Sequence, residues 1–292
     1  MCILVEGEDG SEYGLSVHHT DIFARHTGPG LQVLAYRLSI SAHSEAAMIL
    51  PLPVAPGSGE NAVRFIDLSG FRDFFQRLAD VCEPEFLIAS LGSTDFEEAV
   101  DEALSPLEVH EVGDFVASFV PSLADFDRLD RRFRLSPEVW SKLPEYADYG
   151  FAVFQLKVKL SAADQQVQND VQPMALEFPT RDSQRLFYPT VHVHDGSYHP
   201  HAEFKHCLYS QRDDARAAFM EAMGELCEEE MFLALKQEAP DDPLFWFYRS
   251  TQPAGVCLEV ERSAGLLDAE GKLYCMHLFG SYANRDVWVG AA

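Results

Sequence analysis

Five of the eleven histidines fall within one short segment, TVHVHDGSYHPHAEFKHC: His192, His194, His199, His201 and His206. In an extended chain, residues two apart project from the same face. His192 with His194, and His199 with His201, therefore form two H-x-H pairs. Asp195-Gly196 is a turn signal between them. Two strands joined there would bring four imidazoles to one metal ion, and neutral imidazole suits zinc, iron or copper. Asp195, Glu203 and Cys207 are near enough in sequence to ligate the ion or to orient its ligands. An open coordination position would make the centre hydrolytic or oxygen-handling. The same residues also read as a polar hairpin whose histidines make structural hydrogen bonds or face solvent.

A second candidate lies at the start, MCILVEGEDG. Removal of Met1 would leave Cys2 with a thiol and a free α-amine, a nucleophile and a base in one residue. CILV reads as a strand, and DIFARHTG carries the candidate partner Arg25. This opening resembles that of N-terminal-nucleophile hydrolases of the conjugated bile-acid hydrolase and penicillin acylase type, where Cys begins one strand and a second strand carries an Arg. The resemblance implies amide hydrolysis with Cys2 as nucleophile and Arg25 beside it. It departs after Arg25, where His26, Thr27 and Gly28 stand in place of the family's usual Asn and Asp. The whole chain also resembles uncharacterised bacterial proteins, in segments such as AMILPLPV, RFIDLSGFRDFF, YADYGFAVFQLK and LFYPTVHVHDG. That resemblance implies a bacterial cytoplasmic protein and no particular activity.

Other chemistry is excluded by pattern. There is no G-x-S-x-G nucleophile elbow and no H-E-x-x-H. GLLDAEGK, residues 265–272, has the wrong spacing for a phosphate loop, and Leu273 stands where Ser or Thr should hold magnesium. Gly57, Gly59 and Ala62 fit G-x-G-x-x-A, but the motif follows a proline-rich loop and precedes a strand, the reverse of a dinucleotide site.

The 22 Lys and Arg against 47 Asp and Glu give a net charge of −25. Such a chain is repelled by phosphate backbones and by anionic bilayers, so neither nucleic acid nor membrane is an expected partner. The charge is uneven. Residues 95–130 hold eleven acidic residues against Arg128 alone, and residues 211–242 hold ten against three basic ones. Such runs suit a basic protein partner or a solvated helix face. The six cysteines are scattered without a C-x-x-C, and the opening has no basic, apolar leader pattern, so a reduced, cytoplasmic protein is expected.

The elements that must position these residues are mostly strands. Leu31 to Ala42 alternates at period two, with Leu34, Tyr36, Leu38 and Ile40 on its apolar face, and reads as half-buried. Gly150 to Ser161 alternates in the same way. Met48 to Leu52, Ala62 to Leu68, Met174 to Phe178, Phe187 to His194, Phe245 to Tyr248, Val256 to Val260 and Lys272 to Phe279 read as further strands. Phe71, Phe74, Phe75, Leu78 and Ala79 have the spacing of one buried helix face. Thr94, Ser122 and Ser136-Pro137 are helix starts. Asp213 to about Lys236 is the longest expected helix. The expectation is one α+β domain over residues 1–292, with a mainly antiparallel β-sheet, several short helices and one long helix. The leading reading is a metal-binding protein or metal-dependent enzyme. The alternatives are an N-terminal-Cys amide hydrolase acting on an unidentified small-molecule substrate, and a non-catalytic acidic interaction module.

Overall fold

A computed structural model describes residues 3–6, 16–41, 46–82, 110–112, 115–130, 134–156, 168–170, 172–194, 196–226 and 247–290. The strands are β1 (Ile3–Glu6), β2 (Ser16–Gly28), β3 (Leu31–Ser41), β4 (Ala46–Leu52), β5 (Arg64–Ile66), β6 (His110–Val112), β7 (Phe115–Val120), β8 (Gly150–Leu156), β9 (Gln168–Asp170), β10 (Met174–Pro179), β11 (Leu186–Tyr188), β12 (His201–Ser210), β13 (Phe247–Pro253), β14 (Lys272–Ala283) and β15 (Val287–Val289). Among the described residues four α-helices accompany them: α1 (Phe74–Cys82), α2 (Pro137–Ser141), α3 (Ala215–Leu226) and α4 (Ala254–Cys257). The expected mainly antiparallel, strand-rich α+β class is what forms.

A five-stranded sheet runs β1-β4-β8-β7-β6, and an eight-stranded sheet runs β13-β14-β12-β2-β3-β10-β5 with β9 also on β3. Every neighbouring pair in the two sheets is antiparallel except β12 with β2. The two sheets share one core. Leu34, Tyr36, Leu208, Met276 and Leu278 of the larger sheet bury with Met48, Leu50, Phe119 and Phe154 of the smaller one. The outer face of the larger sheet is covered by α1, whose Phe74, Phe75 and Leu78 pack on Phe23, Val33, Ala35 and Tyr209. The outer face of the smaller sheet is covered by the α2 region through Val139, Leu143 and Tyr146.

This layering explains both agreements and corrections. β3 was expected to be half-buried, yet Val33 and Ala35 on its second face are also buried, because α1 closes over them. The Ser136 N-cap forms as expected, with its Oγ accepting from Val139 N at 3.4 Å. Ser122 opens a 3-10 turn, Leu123–Arg128, rather than an α-helix. Val256 to Val260 is not a strand. α4 and a 3-10 turn, Val260–Ser263, occupy it, held by Ala254 N to Gly271 O and Gly255 N to Ala269 O, both 2.9 Å. β13 is an edge strand of its sheet, and Phe247 and Tyr248 are half-buried. α3 covers the first part of the expected long helix; residues 227–246 and the Thr94 helix start lie outside the described residues.

The His192 to His201 hairpin is the main correction. Beyond β11 the chain leaves regular pairing, and β12 pairs with β14 and β2 rather than with residues 190–194. Side chains from the far end of β14 satisfy that backbone instead. Asn284 Oδ1 accepts from His192 N at 2.7 Å, and its Nδ2 donates to His192 O and His199 O at 2.9 and 2.8 Å. The Asp286 carboxylate accepts from Thr190 N, Val191 N and the Tyr146 hydroxyl at 2.8, 3.2 and 2.7 Å. On the other side, Leu4 N donates to Val193 O at 2.9 Å. These bonds use the donors and acceptors that a hairpin ladder would need.

Burial raises the Asp286 acid to about 6 against the opposing pull of these donors. A folded acid held above its unfolded value, near 4, favours the protonated folded state. Its contribution to stability is present below about pH 4 and is lost as pH rises through about 6. Asp286→Asn keeps an oxygen for the two amides and removes the titration. Denaturation of both proteins between pH 4 and pH 7 should show the variant gaining relative to the wild type as pH rises. A pH-independent difference would contradict this account.

Candidate metal centre

Strands β14, β12 and β2 lie side by side, and their register brings distant residues into one row. Cys207 stands opposite His277 on β14 and opposite Asp21 on β2. Cys275 and His19 are each two residues along from those partners, hence on the same face. This is the α1 face of the larger sheet, just beyond Tyr209, Phe23 and Leu273. Five groups of complementary chemistry thus meet from three strands that are far apart in sequence.

The ligand atoms of Cys207, Cys275 and His277 all lie within 4.8 Å of one another, as do those of His19, Asp21 and Cys207. Cys207 belongs to both groups. Cys207, Cys275, His277 and Asp21 are buried, whereas the His19 side chain is 37 % exposed. His19 Nε2 is 3.1 Å from Asp21 Oδ1. Arg37 Nε and Nη2 donate to Asp21 Oδ2 at 2.9 and 2.6 Å. Phe279 stacks on His277 at 4.9 Å and meets His19 edge-on at 6.3 Å.

The electrostatics favour a thiolate at Cys207 and an ion pair between Asp21 and the protonated His19 ring. Contact with Cys275 holds the Cys207 thiol well below its usual range, with further help from His19 and His277 against the opposing effect of burial. Burial works against the Asp21 carboxylate, yet the Arg37 and His19 charges bring its pKa below the ordinary value. Burial likewise opposes a charged His19, but Asp21 outweighs it and pushes the ring up to about 10. A low-lying thiolate is the form that binds metal.

A disulfide would compete for the same cysteines. The register argues against it: Cys207 faces His277, so Cys275 is its diagonal neighbour. Diagonal cross-strand positions are roughly 7–8 Å apart, beyond the usual Cα span of a disulfide. Around a tetrahedral zinc with Zn–S of about 2.3 Å, two sulfurs stand roughly 3.8 Å apart. The arrangement suits that spacing without moving a strand.

The histidines singled out by density go elsewhere. His192 is buried between the sheets, against Phe204 at 4.4 Å, His206 at 5.2 Å and His194 at 5.4 Å. Burial keeps its ring neutral, well below the ordinary histidine range, and its buried Nε2 has no hydrogen-bond partner. His199 and His201 are exposed. The structure therefore brings His192 and His194 together but not all four histidines. Among the described residues, neither three-ligand group contains any of them. Asp195 and Cys2 lie outside the described residues, and Glu203 is exposed. Arg25 donates to Leu266 O and Gly265 O, both at 2.7 Å, and to His26 O at 3.3 Å, so its guanidinium pins a loop. Cys207, read as an accessory to the histidine segment, points to the opposite face from His206 and belongs to the other centre. His19, Asp21, Cys275 and His277 were missed. Their signal is the pair H-T-D at 19–21 and C-M-H at 275–277, each placing two ligands on one strand face.

The fold and centre define an α+β protein with two large sheets, a small β11–β15 pair and a cysteine–histidine cluster on the outer face of the larger sheet. No family model matches the chain. Among solved structures it is similar to baculovirus P35, at 13 % identity and a TM-score of 0.45, over 99 % of each chain. A caspase-cleaved mutant of P35 aligns at 14 % identity and a TM-score of 0.44, over 94 % of this chain and 100 % of that one. P35 in complex with caspase-8 aligns at 13 % identity and a TM-score of 0.45, over 94 % and 96 %. Likeness at this level carries no function or residue role to this chain.

Asp21 is a buried carboxylate whose main countercharge is Arg37, itself about a quarter exposed. Arg37→Met would leave that charge with His19 as its remaining partner. The expected loss is about 2–3 kcal/mol, below the roughly 3–5 kcal/mol of a fully enclosed pair. Urea denaturation checks this, and a loss under about 0.5 kcal/mol, as for an exposed pair, would contradict the assigned role of Arg37.

Proposed function

We propose that this protein binds a transition-metal ion, zinc in the first instance, through Cys207, Cys275 and His277. The observation that supports the reading is the convergence of three buried ligand atoms within 4.8 Å of one another. Two thiolates and an imidazole form a donor set that zinc favours, with copper(I) and iron as the other candidates. The site replaces the one expected at His192, His194, His199 and His201.

Elemental analysis of protein purified without a histidine tag, under reducing conditions, should find about one equivalent of zinc per chain. The double change Cys275→Ser and His277→Ala should reduce it to background. His192→Ala with His194→Ala should leave it unchanged. Chelation should lower the melting temperature of the wild type only. Protein that stays metal-free after incubation with zinc and is indifferent to chelator would overturn the reading.

A protein-binding role is the second reading, favoured by the net charge of −25. Basic proteins are the natural probes. Binding that weakens as salt rises would support an electrostatic interface. No binding to a basic protein at low ionic strength would count against it. The amide-hydrolase reading gains nothing from Arg25, whose donors are taken by backbone carbonyls. Intact mass with Met1 retained would exclude it.

A further inference from the structure

We infer that the centre is closed, with His19 as the fourth ligand, so that the ion clamps β2, β12 and β14 together and leaves no position for a substrate. This rests on the metal reading proposed above.

The two ligand groups share a vertex. An ion held about 2.3 Å from the Cys207 sulfur, between Cys275 and His277, has His19 as its nearest remaining nitrogen donor, because His19 lies within 4.8 Å of that same sulfur. The other walls are already filled. Cys207, Cys275, His277 and Asp21 are buried, so the open side of the cluster is the one where His19 and Phe279 stand, 37 % and 43 % exposed. A substrate would have to enter where these two rings sit. His19 does not share a group with Cys275 and His277, so closing the tetrahedron requires the ring to turn inward. The ring is partly exposed on its outer side and turns about the contact that Asp21 makes with its Nε2.

Asp21 fits the role of orienting His19 rather than of ligating. Its Oδ1 takes His19 Nε2 and its Oδ2 takes Arg37. That leaves Nδ1 of His19 as the ligating nitrogen, its proton released to solvent as the ion binds, in a carboxylate–histidine–metal arrangement of the kind that fixes ring orientation. The charges agree. Two thiolates neutralise one divalent cation, and Arg37 neutralises Asp21, so the buried cluster carries no net charge. A second ion bridged through Cys207 would sit beside the Arg37 guanidinium with no anion left to offset it. The mechanical consequence follows from topology: among the described strands of the larger sheet β12–β2 is the parallel pair, and a His19–metal–Cys207 link ties it across the strands.

Cobalt(II) substituted into the full-length protein tests this. Sulfur-to-cobalt charge-transfer bands report the thiolates, and the visible bands report coordination number. With one equivalent bound, azide should leave the wild-type spectrum unchanged. His19→Ala, a change at a partly exposed residue, should retain the charge-transfer bands, weaken binding by more than about a hundredfold and become azide-sensitive. An azide-sensitive wild-type spectrum, or two equivalents bound, would overturn the closed centre while leaving metal binding intact. Absence of any cobalt binding would overturn both.

Discussion

The register of β12 between β14 and β2 is the constraint on which the rest depends. It sets Cys207 opposite His277 on one side and Asp21 on the other. A slip of one residue would turn Cys207 toward the inter-sheet core and His206 toward α1. Burial on both faces prevents that slip. Phe204, His206 and Leu208 are enclosed against the smaller sheet, while Cys207 and Tyr209 lie under the α1 layer. The site is thus an outcome of packing the whole sheet.

Polarity on the α1 face changes along the strands. Under α1 the face is Phe23, Val33, Ala35, Tyr209 and Leu273. Beyond it the same strands present Asp21, Cys207 and His277, then His19 and Phe279. Arg37 joins the two regions, its guanidinium lying 5.5 Å from the Phe75 ring of α1 while its nitrogens hold Asp21. A buried carboxylate is tolerable there because it is paired and hydrogen-bonded. Contacts from Cys275, His19 and His277 draw the Cys207 thiol toward its ionised form, and a bound cation would complete that compensation.

Much of the scaffold was legible from period-two and period-3.6 patterns. β3 and β8 follow the alternation of their apolar residues, β4, β10 and the start of β14 are short apolar stretches, and α1 follows the phenylalanine spacing. The histidine segment was misread because density suggested a hairpin, whereas Asn284 and Asp286 capture its backbone from ninety residues away. No local pattern encodes such a side-chain substitute for a strand. The candidate centre was legible only in fragments. H-T-D and C-M-H carry the right spacing, but their meeting at Cys207 requires the β14-β12-β2 order, including a parallel pairing that adjacency in sequence does not suggest. The −25 charge pointed to partners rather than to a site, and the centre pairs its charges internally.

The most direct test of the central claim is X-ray absorption at the metal edge of the zinc-loaded protein. The account predicts two sulfur neighbours at about 2.3 Å and two nitrogen neighbours at about 2.0–2.1 Å. A shell of nitrogen and oxygen alone would contradict it, placing any bound ion away from Cys207 and Cys275.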